Sequence, residues 1–170
     1  MNKVFTAIIL LFAMHSSAQS LNKNFQDPIK KRLVMINHVT RDSLINFPEF
    51  KTVYDNQYPD YSPDSVTVGK LKPLMQGLKL TIVLGTWCGD SKLQVPHFYK
   101  VLDQIGFPEN DITLICVDGH KKDENGLADG LHIERVPTFI ISREGKELGR
   151  IVESPKLTLE SDLLGILTGK

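Results

Sequence analysis

The segment Thr86-Trp87-Cys88-Gly89-Asp90-Ser91-Lys92 places a thiol, a carboxylate, a hydroxyl, an ammonium and an indole on consecutive stretches of one short run. Leu78 to Leu84, just upstream, is apolar enough to read as a buried strand. Gly89 to Ile105, just downstream, reads as a helix. Cys88 therefore falls where a strand gives way to a helix. The first N–H groups of a helix have no intrahelical partner, and with the macrodipole they favour negative charge. A thiol in such a place ionises more readily than a free one, and the thiolate is the nucleophile. Ser91, three residues on, supplies a hydroxyl that can donate a hydrogen bond to a thiolate but forms no disulfide. Its plain alternative is a first-turn residue that satisfies a backbone donor.

The second of the two cysteines, Cys116, lies within Ile112-Thr113-Leu114-Ile115-Cys116-Val117. In mid-strand it reads as a small apolar side chain. A structural Cys88–Cys116 bridge is the alternative for an exported chain. His97, His120 and His132 are scattered, and no His-x-x-x-His or Cys-x-x-Cys spacing exists. The reading is therefore no metal and no cofactor, with Cys88, Asp90 and His120 as the set a soft metal would use if one bound. Acidic and basic side chains balance at 20 each. No basic run interleaved with aromatics suggests nucleic acid, and no phosphate-binding glycine pattern is present.

The elements that must position Cys88 follow a regular rhythm. Strands are expected at Leu78–Leu84, Ile112–Val117, Val136–Ser142 and Glu147–Val152. Helices are expected at Gly89–Ile105, with Pro96 as a kink, at Lys121–Leu131, weakly, and at Leu157–Leu167. Arg143-Glu144-Gly145-Lys146 reads as a hairpin turn. Strand–helix–strand alternation predicts a parallel pair and the hairpin adds antiparallel strands. The expected fold is thus α/β, a mixed central sheet flanked by helices.

The first part of the chain is read differently. Met1-Asn2-Lys3 is charged, Val4 to Met14 is apolar, and Ser16-Ser17-Ala18 offers small residues for cleavage. Residues 1–18 are expected to be a secretory signal, since a membrane span needs about 20 apolar residues; an uncleaved anchor is the alternative. Residues 19–77 are read as an N-terminal extension, partly helical, and 78–170 as the main domain. Pro28 to Val39 fits helix or strand. Arg41 to Tyr61, with Phe47, Phe50, Tyr54, Tyr58 and Tyr61, is expected to be ordered by packing rather than by regular structure. Ser62-Pro63-Asp64 reads as a helix start with Ser62 as N-cap and Pro63 at the first helical position.

Three features coincide in order: Trp87-Cys88-Gly89-Asp90-Ser91 at a strand–helix junction, Pro96 eight residues after Cys88, and Val136-Pro137-Thr138-Phe139 before the hairpin. Over roughly Lys79 to Lys170 the chain resembles the thioredoxin family, and within it exported bacterial proteins with a Trp-Cys-Gly-Asp sequence. The resemblance implies that Cys88 attacks and that Pro137 is cis and lies beside Cys88. It implies that the backbone at Val136 offers hydrogen bonds to an extended substrate, and that Trp87 covers the site with its indole N–H toward Asp118. Trp87, Gly89, Asp90, Val136 and Pro137 would then contact substrate, with Cys88 and Ser91 as the reacting pair of positions.

Two departures shape the expected chemistry. The family's second cysteine is Ser91, so internal release of a mixed disulfide is lost. The family's buried carboxylate position, six residues before Cys88, is Ile82. The expectation is an exported protein, periplasmic or extracellular, working through a single thiol on mixed disulfides or oxidised thiols. Its partners would be thiol- or disulfide-bearing proteins or small thiols, with no stable membrane insertion once the signal is removed. A binding module that holds cysteine-bearing clients without turnover, and a structural domain in which Cys88 is incidental, are the alternatives.

Overall fold

The computed structural model describes residues 21–169; the expected signal, residues 1–18, lies outside them. Six strands form one sheet in the order β1-β2-β4-β3-β5-β6. They are β1 (Lys23–Asp27), β2 (Arg32–Val39), β3 (Leu78–Leu84), β4 (Ile112–Cys116), β5 (Thr138–Arg143) and β6 (Lys146–Val152). β3 and β4 are parallel, joined by helix α4 (Gly89–Ile105), and all other neighbours are antiparallel. The mixed sheet flanked by helices is as the sequence implies.

Residues 23–74 are built into the same sheet and core. β1 and β2 form a hairpin, and β2 pairs with β4 through Asn37↔Cys116, His38↔Ile115 and Val39↔Leu114. The ambiguous Pro28–Val39 stretch is thus strand from Arg32. Arg41 to Tyr61, expected to lack regular structure, is instead helical: α1 (Arg41–Asn46) and α2 (Pro48–Asp60). Thr40 caps α1 by accepting the Ser43 N–H, and Pro48 opens α2, where a missing N–H costs nothing. Phe47, Phe50 and Tyr54 are buried at helical spacing, and Tyr58 stacks on Tyr54 at 5.2 Å. Burial of that face outweighs the weak intrinsic propensity of the segment.

Helix α3 (Ser65–Leu71) starts two residues later than expected. Its N-cap is Asp64, whose carboxylate accepts the Thr67 N–H at 2.8 Å. The Asp64 N–H is taken by Glu160, a buried carboxylate that also accepts the Tyr61 hydroxyl at 2.7 Å. Glu160 lies on helix α5 (Leu159–Thr168), so this contact ties the closing helix to the link between α2 and α3.

α4 is the central helix. Val95, Phe98, Tyr99, Val101, Leu102 and Ile105 are buried, and Phe98 meets Phe139 of β5 with ring centroids 4.5 Å apart. The helix continues through Pro96 and stops at Gly106, whose φ of 80° only glycine adopts without strain. The expected helix over Lys121–Leu131 is absent. Asp118 takes the His120 and Lys122 N–H groups, and Asp123 takes those of Asn125, Leu127 and Ala128. These side chains outcompete the helical ladder, leaving one short 3-10 turn at Asp129–Leu131.

Candidate thiol site

Cys88 is the N-cap of α4, at φ −87° and ψ 130°. Its position is set by the turn that leaves β3. The Cys88 N–H bonds to the Gly85 carbonyl at 2.9 Å, and the Cys88 carbonyl accepts the Lys92 N–H at 3.1 Å as α4 begins. Thr86, fully buried, accepts the Met35 N–H from β2 at 3.1 Å. The turn is therefore pinned from the N-terminal hairpin as well as from its own strand.

Trp87 is half-buried over this turn. Its indole N–H donates to the Val117 carbonyl at 2.9 Å, one residue short of the expected acceptor Asp118. One oxygen of Asp118 instead accepts the His120 and Lys122 N–H groups of its own loop. A Cβ on Gly85 would lie 2.5 Å from the Trp87 ring, so no larger residue at 85 coexists with this indole position. The Lys30 ammonium lies over the ring, 4.0 Å from its centroid.

Cys88 is half-buried and unbridged. Its thiol donates to the Val136 carbonyl at 3.2 Å. The Val136–Pro137 bond is cis, and both residues are buried. Trp87, Cys88, Leu127, Leu131 and Ile133 pack around the small apolar cluster of Val83, Ile115, Val117, Ala128 and Val136. Gly89 and Asp90 are exposed on the first turn of α4. Cys88, Trp87, Val136 and Pro137 thus meet at the ends of β3 and β4 and the start of β5.

Ser91 is held by the turn that precedes α4. It is fully buried, and its Oγ accepts the Gly85 N–H at 3.3 Å. The plain reading of Ser91, a first-turn residue that satisfies a backbone donor, describes this contact. The Lys92 ammonium lies 3.8 Å from the Glu49 carboxylate of α2.

Cys116 is a free, fully buried thiol, and burial pushes its pKa up because the charged form loses solvation. It belongs to the main core, while Cys88 packs on the separate small cluster. Among the described residues no group of three or more His, Cys, Asp and Glu side chains is arranged to hold a metal ion. Among them, too, no helix is long and apolar enough to cross a membrane.

Sequence reasoning missed Asp27, which fixes one wall of this region. Its carboxylate is fully buried and accepts the N–H groups of Ile29 at 2.7 Å, Lys30 at 3.0 Å and Gly119 at 2.7 Å. Burial acts to raise its pKa, but these three backbone bonds and the Lys30 charge outweigh it and hold the carboxyl below the usual range. An Asp-Pro pair at a hairpin end was the available signal. Asp27→Asn is expected to cost about 1–3 kcal/mol, since an amide nitrogen would face an N–H donor. A carboxylate with a depressed folded pKa stabilises fully above its unfolded pKa near 4 and loses that contribution as pH falls through the lower folded value. The difference between wild type and variant in urea unfolding should therefore be full at pH 6–7 and shrink in acid. A gap that is constant down to pH 2 would contradict this role.

No protein-family model matches the chain. Thioredoxin H2-1 of Oryza sativa subsp. japonica is 32% identical over 78 residues, 46% of this chain and 52% of that protein. The chain thus spans about half the length of this relative. Thioredoxin of Gallus gallus is 28% identical over 93 residues, 54% of this chain and 83% of that protein. Among solved structures, a protein of unknown function, PA1234 from Pseudomonas aeruginosa, shares the fold with a TM-score of 0.54 at 16% identity, covering 76% of this chain and 92% of that one. Together with the mixed sheet and the helix that starts at Cys88, these likenesses give the chain a thioredoxin-like fold and a sequence similar to thioredoxins.

Proposed function

We propose that this protein carries out thiol–disulfide exchange through Cys88 alone, on mixed disulfides or oxidised thiols of exported proteins and small molecules. The observation that carries the reading is the half-buried Cys88 thiol, capping α4 and donating to the Val136 carbonyl beside a cis proline. The likeness to thioredoxins supports the redox class. In the reaction, the Cys88 thiolate attacks one sulfur of a disulfide. A new sulfur–sulfur bond forms at Cys88, the other sulfur leaves as a thiolate, and it takes a proton from water. Cys88 is oxidised as the leaving sulfur is reduced.

Release is the step that differs from a dithiol protein. Ser91 offers no sulfur, and Cys116 is sealed in the core. An external thiol must attack Cys88 to free the client and restore the thiol. Trp87, Gly89, Asp90, Val136 and Pro137 form the proposed contact surface, and an extended client would lie against the Val136–Pro137 backbone by strand-like pairing. Export rests on residues 1–18, with their charged start, apolar run and small residues before Gln19; periplasm and extracellular space both suit it.

Turnover of a glutathionylated peptide in the presence of reduced glutathione tests the reading. The rate should exceed that without protein and rise with glutathione concentration. Client capture with no release at any glutathione level would favour the binding-module reading, and neither capture nor release would overturn both.

A further inference from the structure

The turn joining β1 to β2, residues 28–31, is built against the cysteine loop. Lys31 closes it by donating its N–H to the Asp27 carbonyl at 2.8 Å. The buried Asp27 carboxylate grips Ile29 and Lys30 from within and Gly119 from the loop after β4. Gly119 leaves no room for slack: a Cβ there would lie 2.9 Å from Ile29 Cβ and 3.3 Å from Asp27 Oδ2. Turn and loop are thereby locked together. In that position Lys30 sits on Trp87, the residue preceding the thiol, and Ile29 keeps 49% of its surface exposed.

Lysines and acids both line this corner. Lys30 and Lys31 lie on one turn and Lys121 on the other. Lys92 is directed to Glu49 and Lys122 to Asp129. Of the acids, Asp27 is buried beneath the turn with its charge close to Lys30, one oxygen of Asp118 accepts two backbone N–H groups, and Asp90 is exposed on α4. An ammonium held on an aromatic face engages the ring through its charge and retains N–H donors for a further partner.

We propose that this turn is a specificity element: Lys30, placed over Trp87 by the Asp27-anchored turn, selects disulfide-bearing protein segments with an acidic side chain next to the reacting cysteine. The proposal rests on the thiol-exchange reading above. The occupant is an extended acidic peptide, whose carboxylate pairs with Lys30 while its disulfide meets Cys88. Such complementarity acts mainly on the rate of productive approach.

The test compares two disulfide-linked peptides that differ only in flanking Asp or Lys residues, with the neutral 2-hydroxyethyl disulfide as reference. Mixed-disulfide formation on the reduced protein is followed by intact mass at low salt. The acidic peptide should react about fivefold faster than the basic one, the scale of one surface ion pair, and the preference should fade at high salt. Lys30→Glu should reverse the preference and Lys30→Gln should erase it, both with an unchanged rate toward 2-hydroxyethyl disulfide. Equal peptide rates in the wild type, or a preference that survives Lys30→Glu, would overturn the proposal while 2-hydroxyethyl disulfide still reports a working thiol. No adduct with any of the three disulfides would overturn the exchange reading and this proposal with it.

Discussion

Replacing Cys88 by alanine is expected to abolish mixed-disulfide formation, a loss of at least about a thousandfold in rate, because the remaining thiol, Cys116, is fully buried. The fold should survive. Cys88 makes no side-chain cap bond to α4, and the contacts that shape its loop are backbone bonds of Gly85, Cys88 and Lys92 plus the Thr86 hydroxyl. Cys116→Ala makes the opposite trade. It removes a fully buried side chain from the main core and should cost about 1–2 kcal/mol of stability, yet leave the exchange rate unchanged. Intact-mass kinetics and urea unfolding on both variants separate the two cysteines. Equal reactivity of the Cys88→Ala variant and the wild type would mean that the thiol at the head of α4 is not the nucleophile.

Ser91→Cys is the second substitution with a large expected effect, and it adds a function. Positions 88 and 91 lie one turn apart at the start of α4, on the same face. A thiol at 91 would attack the Cys88 mixed disulfide from within the molecule. Against an external thiol at about 1 mM, an internal one should speed release by roughly 100-fold or more. The mixed disulfide would cease to accumulate, and an internal disulfide would appear in its place. The substitution has a cost, because the Ser91 hydroxyl accepts the Gly85 N–H and sulfur is a weaker acceptor. About 1 kcal/mol of stability should be lost. A mixed disulfide of unchanged lifetime in the Ser91→Cys variant would show that the missing sulfur is not what limits release.

The half of the chain after Leu78 was legible because its signals are local. Apolar runs ending at turn residues mark β3, β4 and β5, and Glu144-Gly145 at φ 51° and 76° is the hairpin turn its sequence announces. Cys88 at a strand–helix junction follows from the same pattern. The first half was less legible because tertiary packing overrides weak local preference there. The spacing of Phe47, Phe50, Tyr54 and Tyr58 is helical, but Pro, Asn and Asp dilute it, and only burial against α4 makes it decisive. Residues 121–131 failed in the other direction, since Asp118 and Asp123 divert the backbone donors a helix would use.

Within the site, what the sequence conceals is long-range. Thr86 meets Met35 across 51 residues, and Asp27 meets Gly119 across 92. No motif spacing encodes such pairs. They show that residues read as an appendage frame the thiol: the hairpin of β1 and β2 supports the cysteine loop from below through Met35 and flanks Trp87 through Lys30. Ser91 carries a similar lesson. Its identity was informative about what the protein lacks, while its hydrogen bond to Gly85 defines its structural task.

The most direct measurement is the intact mass of the reduced protein after exposure to oxidised glutathione, followed by peptide mapping. The account predicts one glutathione per chain, on Cys88 and not Cys116, that persists until a thiol is added and is then released to restore the original mass. A chain that stays unmodified, or one in which the two cysteines are modified alike, would contradict it.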